Sequence, residues 1–435
     1  MISSIQVQRV GIPRRRWLMG CLLGTGVLVN YIDRINLSVA APQLKEAFGF
    51  TSVELGVLFS AYAWSYALFQ IPTGLFLDKF GVTLAGRIGS FLWIIASLAT
   101  GLATGMTGLF AARILLGIAE APTFPANAKA TGYWFPRTER ALATSIFDAA
   151  AKFSNVIGVP LVAVIVVHFG WRAGFMMTAG LSFLYFVAYY LIYRDPSKDP
   201  KLDPKELAYI RDGDSVPEGA PDVDSASLLK YLLSNRKVWG LTIGFSAYGY
   251  TFYLFLTWLP GYLVETMHMD IIKSSFFTII PWLFATATDI LIGGVLVDRL
   301  ISKGYDENKV RKTVLVAGML MGLAVFGATQ TTDPVWAIVW ITIALSGLAF
   351  AAPVGWSIPG LIAPKGGAGT IGGIMNFVNN LMAIAAPIVT GYIVGLTHSF
   401  TAAFYIAGVV LIIGIISFTV VLGRLDPIPS PSPAR

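Results

Sequence analysis

Long apolar blocks separated by short polar breaks make up nearly the whole chain. A membrane-crossing helix needs roughly 20 predominantly apolar residues. About twelve stretches meet that length: 17–39, 54–77, 84–104, 108–132, 141–168, 173–193, 238–264, 274–300, 310–330, 334–356, 368–394 and 400–423. Charged residues are 13% of the chain, against roughly 25% in an average soluble domain. In lipid the backbone must satisfy its own hydrogen bonds, so each block reads as a helix. The expected fold class is an all-α membrane protein with twelve transmembrane helices. The net charge of +7 is no argument for nucleic acid, because basic residues of membrane proteins collect in cytoplasmic loops. A lone cysteine, Cys21, excludes an internal disulfide and a cysteine metal cluster; in an apolar helix it is expected to be a small packing residue. Arg9, Arg14, Arg15 and Arg16 precede a full-length apolar span, which reads as an uncleaved first helix.

One long polar stretch interrupts the pattern. It holds Asp195-Pro196, Asp199-Pro200 and Asp203-Pro204 and reads as a loop with one short amphipathic helix near 204–211. The chain thus divides into an N-terminal tail (1–16), a six-helix bundle (17–193), a central loop (194–237), a second six-helix bundle (238–423) and a C-terminal tail (424–435). Basic residues fall on alternate connections: Lys79 and Arg87, Arg137 and Arg140, the central loop, Arg299 to Lys312, Lys365 and Arg424. The positive-inside rule places these, and both termini, in the cytoplasm. The expected location is a bacterial inner membrane, with lipid around a monomer.

The halves repeat a string. Gly74, Asp78 and Lys79 follow the second span as G-x-x-x-D-K; Gly294, Asp298 and Arg299 follow the eighth as G-x-x-x-D-R. Two related six-helix bundles imply a central cleft and rocking about a midplane site. The 6+6 layout and the doubled string resemble the major facilitator superfamily. Finer strings resemble its anion:cation symporter branch, and within it the bacterial sugar-acid carriers of the D-galactonate/proton type. They are Tyr31-Ile-Asp33-Arg34-Ile-Asn36, Ser60-Ala-Tyr62-Ala-Trp64-Ser-Tyr66, Gln70-Ile-Pro72 before Gly74, Arg113 with Glu120-Ala-Pro122, Tyr133-Trp134-Phe135-Pro136, Trp258-Leu-Pro260 and Gly372-Gly373 before Asn376-Phe377.

Charge inside hydrocarbon costs roughly 3 kcal/mol per residue and marks function. Asp33 and Arg34 lie in the first span, Arg113 and Glu120 in the fourth. Helix neighbours point about 100° apart, so Asp33 and Arg34 do not face each other: one can line the cleft while the other reaches a neighbouring helix. Arg113 and Glu120 are two turns apart on one face. An arginine fork suits a carboxylate, and a carboxylic acid in a partly dry site can hold a proton near neutral pH. The resemblance implies that Asp33 and Glu120 carry protons, with Arg34 also in coupling and Arg113 in substrate or charge-pair contacts; Arg34 and Arg113 form the anion side. It also maps Tyr66, Trp356 after the tenth span, and Asn376 onto substrate contacts. Tyr62, Asn379 and Asn380 complete the expected polar lining, although asparagines in a span also bond helix to helix.

The fifth span departs from the resemblance. Ala151 stands where the sugar-acid carriers often have a substrate-contacting glutamine. Asp148 and Lys152, spaced i, i+4, either neutralise each other or leave Lys152 to supply a second positive charge to the site. Asp289 is a further acid in the eighth span. Asp78 with Lys79 and Asp298 with Arg299 read as gating latches, using Arg87 and Arg311 as further partners. His168, His268 and His398 fall near span ends, so a mid-membrane histidine relay is not supported. No G-x-x-x-x-G-K-S/T loop, H-E-x-x-H pair or Cys/His metal set is present, which argues against ATP drive, a cofactor, a metal and an enzyme. The expected function is proton-coupled import of a small organic anion, a sugar acid or other carboxylate, by alternating access. Runner-up readings are an aromatic or dicarboxylic acid symporter, with Lys152 as added anchor, and an organic-anion or phosphate-ester exchanger.

Overall fold

A computed structural model describes residues 13–136, 139–213, 215, 218, 226–364 and 367–429. The first span is α1 (Arg15–Phe48). α2 (Ser52–Leu102) holds the second and third spans, which turn at Gly81, where φ is 80°. That left-handed angle suits glycine and explains why one stands two residues after the first G-x-x-x-D-K string. The fourth span is α3 (Met106–Glu120) followed by α4 (Thr123–Trp134), broken at Ala121-Pro122. α5 (Arg140–Phe169) and α6 (Trp171–Ile192) complete the N-terminal half.

The central loop carries α7 (Pro204–Asp212), as its composition predicts, and α8 (Ala226–Leu233), which was not expected. Arg15 and Arg16 hold the α7 side of the loop against the N-terminal half. Arg15 bonds Asp199 at 2.5 Å, and Arg16 bonds both Glu139 at 2.7 Å and Glu206 at 3.0 Å. The C-terminal half follows as α9 (Arg236–Glu265) and α10 (Ile271–Thr288). α10 runs through a π-helical stretch, Asp289–Leu296, into α11 (Val297–Ser302). α12 (Glu307–Gly322) with α13 (Val325–Ala328) forms the ninth span, α14 (Pro334–Ile362) the tenth and α15 (Ala368–Thr397) the eleventh. The twelfth is α16 (Thr401–Ile416) with a π-helical turn, Ser417–Val421.

Among the described residues ten helical stretches are long and apolar enough to cross a membrane. Residues 52–80 and α9 complete twelve. Both are less uniformly apolar because they carry Tyr62, Tyr66 and Gln70, and Tyr248, Tyr250 and Tyr253. Large apolar side chains such as Leu68, Phe169, Leu191 and Leu396 stand exposed on the outer faces, the inverse of a water-soluble protein.

Two expectations change here. Cys21 is exposed, not packed: it shares an outward stripe with Leu18 and Thr25, one turn to either side. Trp356 lies inside α14, since that helix continues to Ile362 instead of ending at 356.

The halves meet mainly on the face opposite the central loop. There Lys45 pairs with Glu265 at 2.9 Å, and Phe59 meets Trp258 edge-on at 5.2 Å. Gly56 of α2 lies against Pro387 and Gly391 of α15. Toward the loop face a Cβ added at Gly74, Gly369, Gly372 or Gly373 would meet nothing within 4 Å. The cleft between the halves therefore opens on the side that carries the central loop.

Candidate functional site

Tyr31 and Arg34 are one turn apart on α1, and Tyr62 and Tyr66 one turn apart on α2, so each pair shares a helix face. The four side chains converge. The Arg34 guanidinium carbon lies 4.4 Å from the Tyr31 ring centre, 4.7 Å from Tyr62 and 5.2 Å from Tyr66. The two α2 rings stack on each other at 5.4 Å. Such a cage holds a guanidinium by cation–π attraction while leaving its edges open for hydrogen bonds. Glu120 enters at the last residue of α3, just before the break in the fourth span. Its Oε2 accepts a 2.9 Å bond from Arg34 Nε; the two side chains are 0% and 8% exposed.

The pair is incomplete. Arg34 Nη2 has no hydrogen-bond partner, and Glu120 Oε1 and the Tyr62 hydroxyl, though they face each other, make no hydrogen bond of good geometry. Leaving a buried polar group unpaired costs about 1–3 kcal/mol, so these groups around one guanidinium form a receptive site.

Asp33 occupies a second layer. One residue before Arg34, it turns away from the cage and into the N-terminal bundle. Its carboxylate accepts from Ser97 at 2.8 Å and Ser182 at 2.9 Å. Arg113 donates to the Asp33 carbonyl at 3.1 Å and lies 5.4 Å from the Phe175 ring centre. It is fully buried, with Nε and Nη2 unpartnered. The expected four-charge cluster is thus assembled in two sheets: Arg34 and Glu120 toward the cleft, Asp33 and Arg113 behind. In this conformation Arg113 touches α1 and not the cleft.

Lys152 has two partners. It pairs with Asp148 on its own helix at 3.0 Å and with Asp289 across the seam between the halves. Lys152 and Asp289 are 5% and 6% exposed and Asp148 is 32% exposed. Both alternatives drawn from the i, i+4 spacing are therefore exceeded: the lysine is neutralised, and a second acid comes from the opposite half.

The remaining expected residues divide. Asn376 is half-buried on α15. Trp356 is 43% exposed and packs edge-on against Phe245 at 5.1 Å. Asn379 is buried against α9, where a Cβ at Gly249 would collide with its Oδ1, and Asn380 is buried beside it. Asn379 thus sits at a helix–helix contact.

For the latches, the Asp78 side chain lies outside the described residues. Lys79 is exposed, with its ammonium 5.2 Å from the Phe80 ring. Arg87 lies over Tyr190 at 4.5 Å. Arg311 bonds Glu307 at 2.9 Å and Ser357 at 2.5 Å. Among the described residues neither Asp298 nor Arg299 forms an ion pair, in keeping with a cleft open on that side.

Sequence reasoning did not select Tyr31, Ser97 or Ser182. Tyr31 carried a signal, its one-turn spacing from Arg34. The serines carried none, since serine is common in packed membrane helices. Lys129, a further charge in the fourth span, was also passed over; it is half-buried on α4 and engaged with its surroundings. A cavity of about 340 Å³ opens elsewhere, on the closed face, lined by Lys45, Glu265, His268 and His398. It is remote from the arginine cage, which carries the convergent unpaired groups.

The Major Facilitator Superfamily sequence model matches residues 23–387. The chain belongs to the major facilitator superfamily. It is a multi-pass membrane transporter, not an enzyme. Among superfamily members it is 42% identical to the "Uncharacterized transporter YybO" of Bacillus subtilis, over 98% of each chain. It is 33% identical to the "D-galactonate transporter" of Escherichia coli, over 97% of this chain and 98% of that one. It is 34% identical to the "Probable galactarate/D-glucarate transporter GudP" of Bacillus subtilis, over 94% and 92%. The resemblance to the sugar-acid carriers therefore extends along the whole chain. The fold matches a bacterial homologue of the human lysosomal transporter Spinster. TM-scores are 0.74 to its inward-facing unoccupied form (98% of this chain, 100% of that one) and 0.72 to its inward-facing occupied form (94% and 97%), both at 16% identity.

Proposed function

We propose that this transporter imports a small organic anion, a sugar acid or other carboxylate, together with protons by alternating access. The observation that carries the reading is the half-made pair between Arg34 and Glu120 at the cleft. Arg34 Nε and Nη2 form one edge of the guanidinium fork, and Glu120 uses only the Nε position. A substrate carboxylate taking that edge as a bidentate ligand competes with Glu120. A proton on Glu120 removes the competitor, so anion and proton bind together. Tyr62 then finds an acceptor in the substrate. Glu120 and Asp33 are the proton carriers on this reading. Arg34 is the anion anchor, and Arg113 positions α1 through the Asp33 carbonyl.

Further expectations belong to the same proposal. Tyr62, Tyr66, Trp356 and Asn376 line the substrate path. Asp78, Lys79, Asp298 and Arg299 close the loop face when the cleft reverses. The chain sits in a bacterial inner membrane as a monomer with both termini cytoplasmic, which makes the observed opening inward-facing. The names of the D-galactonate and galactarate/D-glucarate relatives support a sugar-acid substrate.

The test is uptake of labelled D-galactonate into proteoliposomes under an imposed inward proton gradient. Accumulation that follows the gradient is expected. Uptake that depends only on a counter-anion inside, and ignores the pH difference, would replace this reading with exchange.

A further inference from the structure

Three charges meet at the seam between the fifth and eighth spans. Lys152 of α5 bonds Asp148 one turn before it and Asp289 on the opposite half. Two carboxylates share one ammonium, which leaves one negative charge over when all three are ionised. Asp289 begins the π-helical stretch of the eighth span. Such a bulge commonly marks a functional site, because it re-aims side chains at a fixed point of a helix.

The direction in which this charge faces follows from the helix. Phe153, Ile157, Leu161 and Val164 are the exposed apolar stripe of α5, its lipid side. At about 100° per residue, Asp148 lies about 180° from Ile157 and within about 40° of opposite to Phe153 and Leu161. Its 32% exposure is therefore not to lipid but to the cleft. Tyr31 stands between the two charged groups. It is 4.4 Å from the Arg34 guanidinium and packs with Phe147 and Ala151, one residue before and three after Asp148 on the same stretch of α5. Ala151 leaves this wall without the amide that a glutamine would supply, so the polar function on the α5 side falls to Asp148.

We infer that Asp148, held with Lys152 and Asp289, is a charge-selecting subsite that confines the substrate to monoanions carrying hydroxyl groups. This deepens the proposed function and rests on it. The carboxylate end of the substrate lies on Arg34, beside the unpartnered Arg34 Nη2 and the Tyr62 hydroxyl. Its far end lies across Tyr31, against Asp148. A carboxylate accepts hydrogen bonds from hydroxyls and repels a second acid group. Lys152 does not offset that repulsion, because its ammonium is already divided between two acids. The dicarboxylate reading depended on a free Lys152, and this geometry removes its basis. Sequence similarity does not separate the cases, since the galactonate and galactarate/glucarate relatives are 33% and 34% identical to this chain.

The experiment is calorimetric titration of the purified full chain at pH 7.5 with D-galactonate and with galactarate, which differ only in a terminal CH2OH or carboxylate. The expected result is at least tenfold tighter binding of galactonate. Asp148→Asn is expected to reduce that preference by about tenfold through tighter galactarate binding, whereas Asp148→Glu retains it. Because Lys152 keeps Asp289, the melting temperature of Asp148→Asn should stay near that of the wild type and certify its fold. Equal or tighter binding of galactarate by the wild type overturns the inference, as does an Asp148→Asn variant that changes both affinities alike; either leaves the carboxylate-carrier reading standing. If neither acid binds, that broader reading falls and this one with it. If galactonate binds selectively but its uptake ignores a proton gradient, coupling fails and the subsite stands.

Discussion

Replacing Glu120 by glutamine isolates the competition on which coupling depends. In the wild type the Glu120 carboxylate holds Arg34 Nε at 2.9 Å, with both side chains buried. Breaking a buried ion pair by removing one partner costs about 3–5 kcal/mol, but an arriving carboxylate becomes the new partner, so little of that cost appears in binding. What remains is the proton. Anion and proton favour the same state, so affinity rises as pH falls. One linked proton changes Kd by a factor of about ten per pH unit above the titration of Glu120. Across the two pH units above that titration this amounts to about 100-fold, or about 2.7 kcal/mol. Glutamine keeps the shape and an acceptor oxygen for Arg34 Nε but has no charge to titrate. The expected outcome is an affinity for D-galactonate that varies less than about threefold over that interval and sits near the low-pH limit of the wild type. In proteoliposomes the variant should exchange substrate yet fail to accumulate it against a proton gradient. Calorimetry across pH 5 to 9 reads the first effect and counterflow the second. A variant that keeps the full wild-type slope would remove Glu120 from the coupling role.

Asp33→Asn should lower the thermal midpoint in detergent, since Ser97 and Ser182 donate to different carboxylate oxygens and the NH2 that replaces one of them cannot accept; losing that buried bond costs about 1–3 kcal/mol. An unchanged midpoint would refute that packing. Gly117→Ala should weaken both folding and binding: its Cβ would lie 2.9 Å from Tyr66 N and closer still to the Tyr62 carbonyl. That pushes α2 and its two cage tyrosines away from α3, an overpacking worth about 1–3 kcal/mol. Lys45→Ala removes an ion pair that is partly exposed and worth at most about 1 kcal/mol. Its midpoint should hardly move, while the population open on the closed face should rise by up to about fivefold; distances between spin labels at the outer ends of α2 and α15 would show it.

The architecture was legible because hydrocarbon imposes length and apolarity on each span. What the pattern did not show is where helices end once they leave the bilayer. α1 runs on to Phe48 and α14 to Ile362, and no change in hydropathy marks either end. The layering of Asp33 and Arg34 was legible from the 100° step of the helix. Which of the two would face the cleft was not, because it depends on Ser97 and Ser182, and serines look alike in sequence. Asp148 could be paired with Lys152 from spacing alone. Asp289 could not, because it sits in the other half and meets Lys152 only through packing. Cys21 was misplaced for a related reason: its helix is apolar on both faces, so composition could not tell lipid from core. Its neighbours on the stripe, Leu18 and Thr25, show the difference only once exposure is known.

The two layers of charge bear on how proton and anion communicate. Asp33 and Arg34 are consecutive, so one roll of α1 would exchange their surroundings, and a mechanical coupling of that kind would be simple. The packing opposes it. A Cβ at Gly158 of α5 would lie 2.7 Å from Ile35 Cδ1 and 2.9 Å from Ile32 Cγ1, and one at Gly26 would collide with the Tyr185 ring. α1 is thus gripped by α5 on one side and α6 on the other, through glycines that let the backbones approach closely. Arg113 adds a third constraint by donating to the Asp33 carbonyl. A helix held in this way keeps Asp33 in the bundle and Arg34 in the cleft while the halves rock. On the proposed reading the layers then communicate through charge. Arg113 lies beside Asp33 and two turns from Glu120 on one face of α3, so neutralising either acid changes the field at the other through a fixed intermediate cation. Coupling by field across a rigid N-terminal half needs no side chain to move between layers. It leaves the large motion to the seams with the C-terminal half, where Lys152 and Asp289 meet.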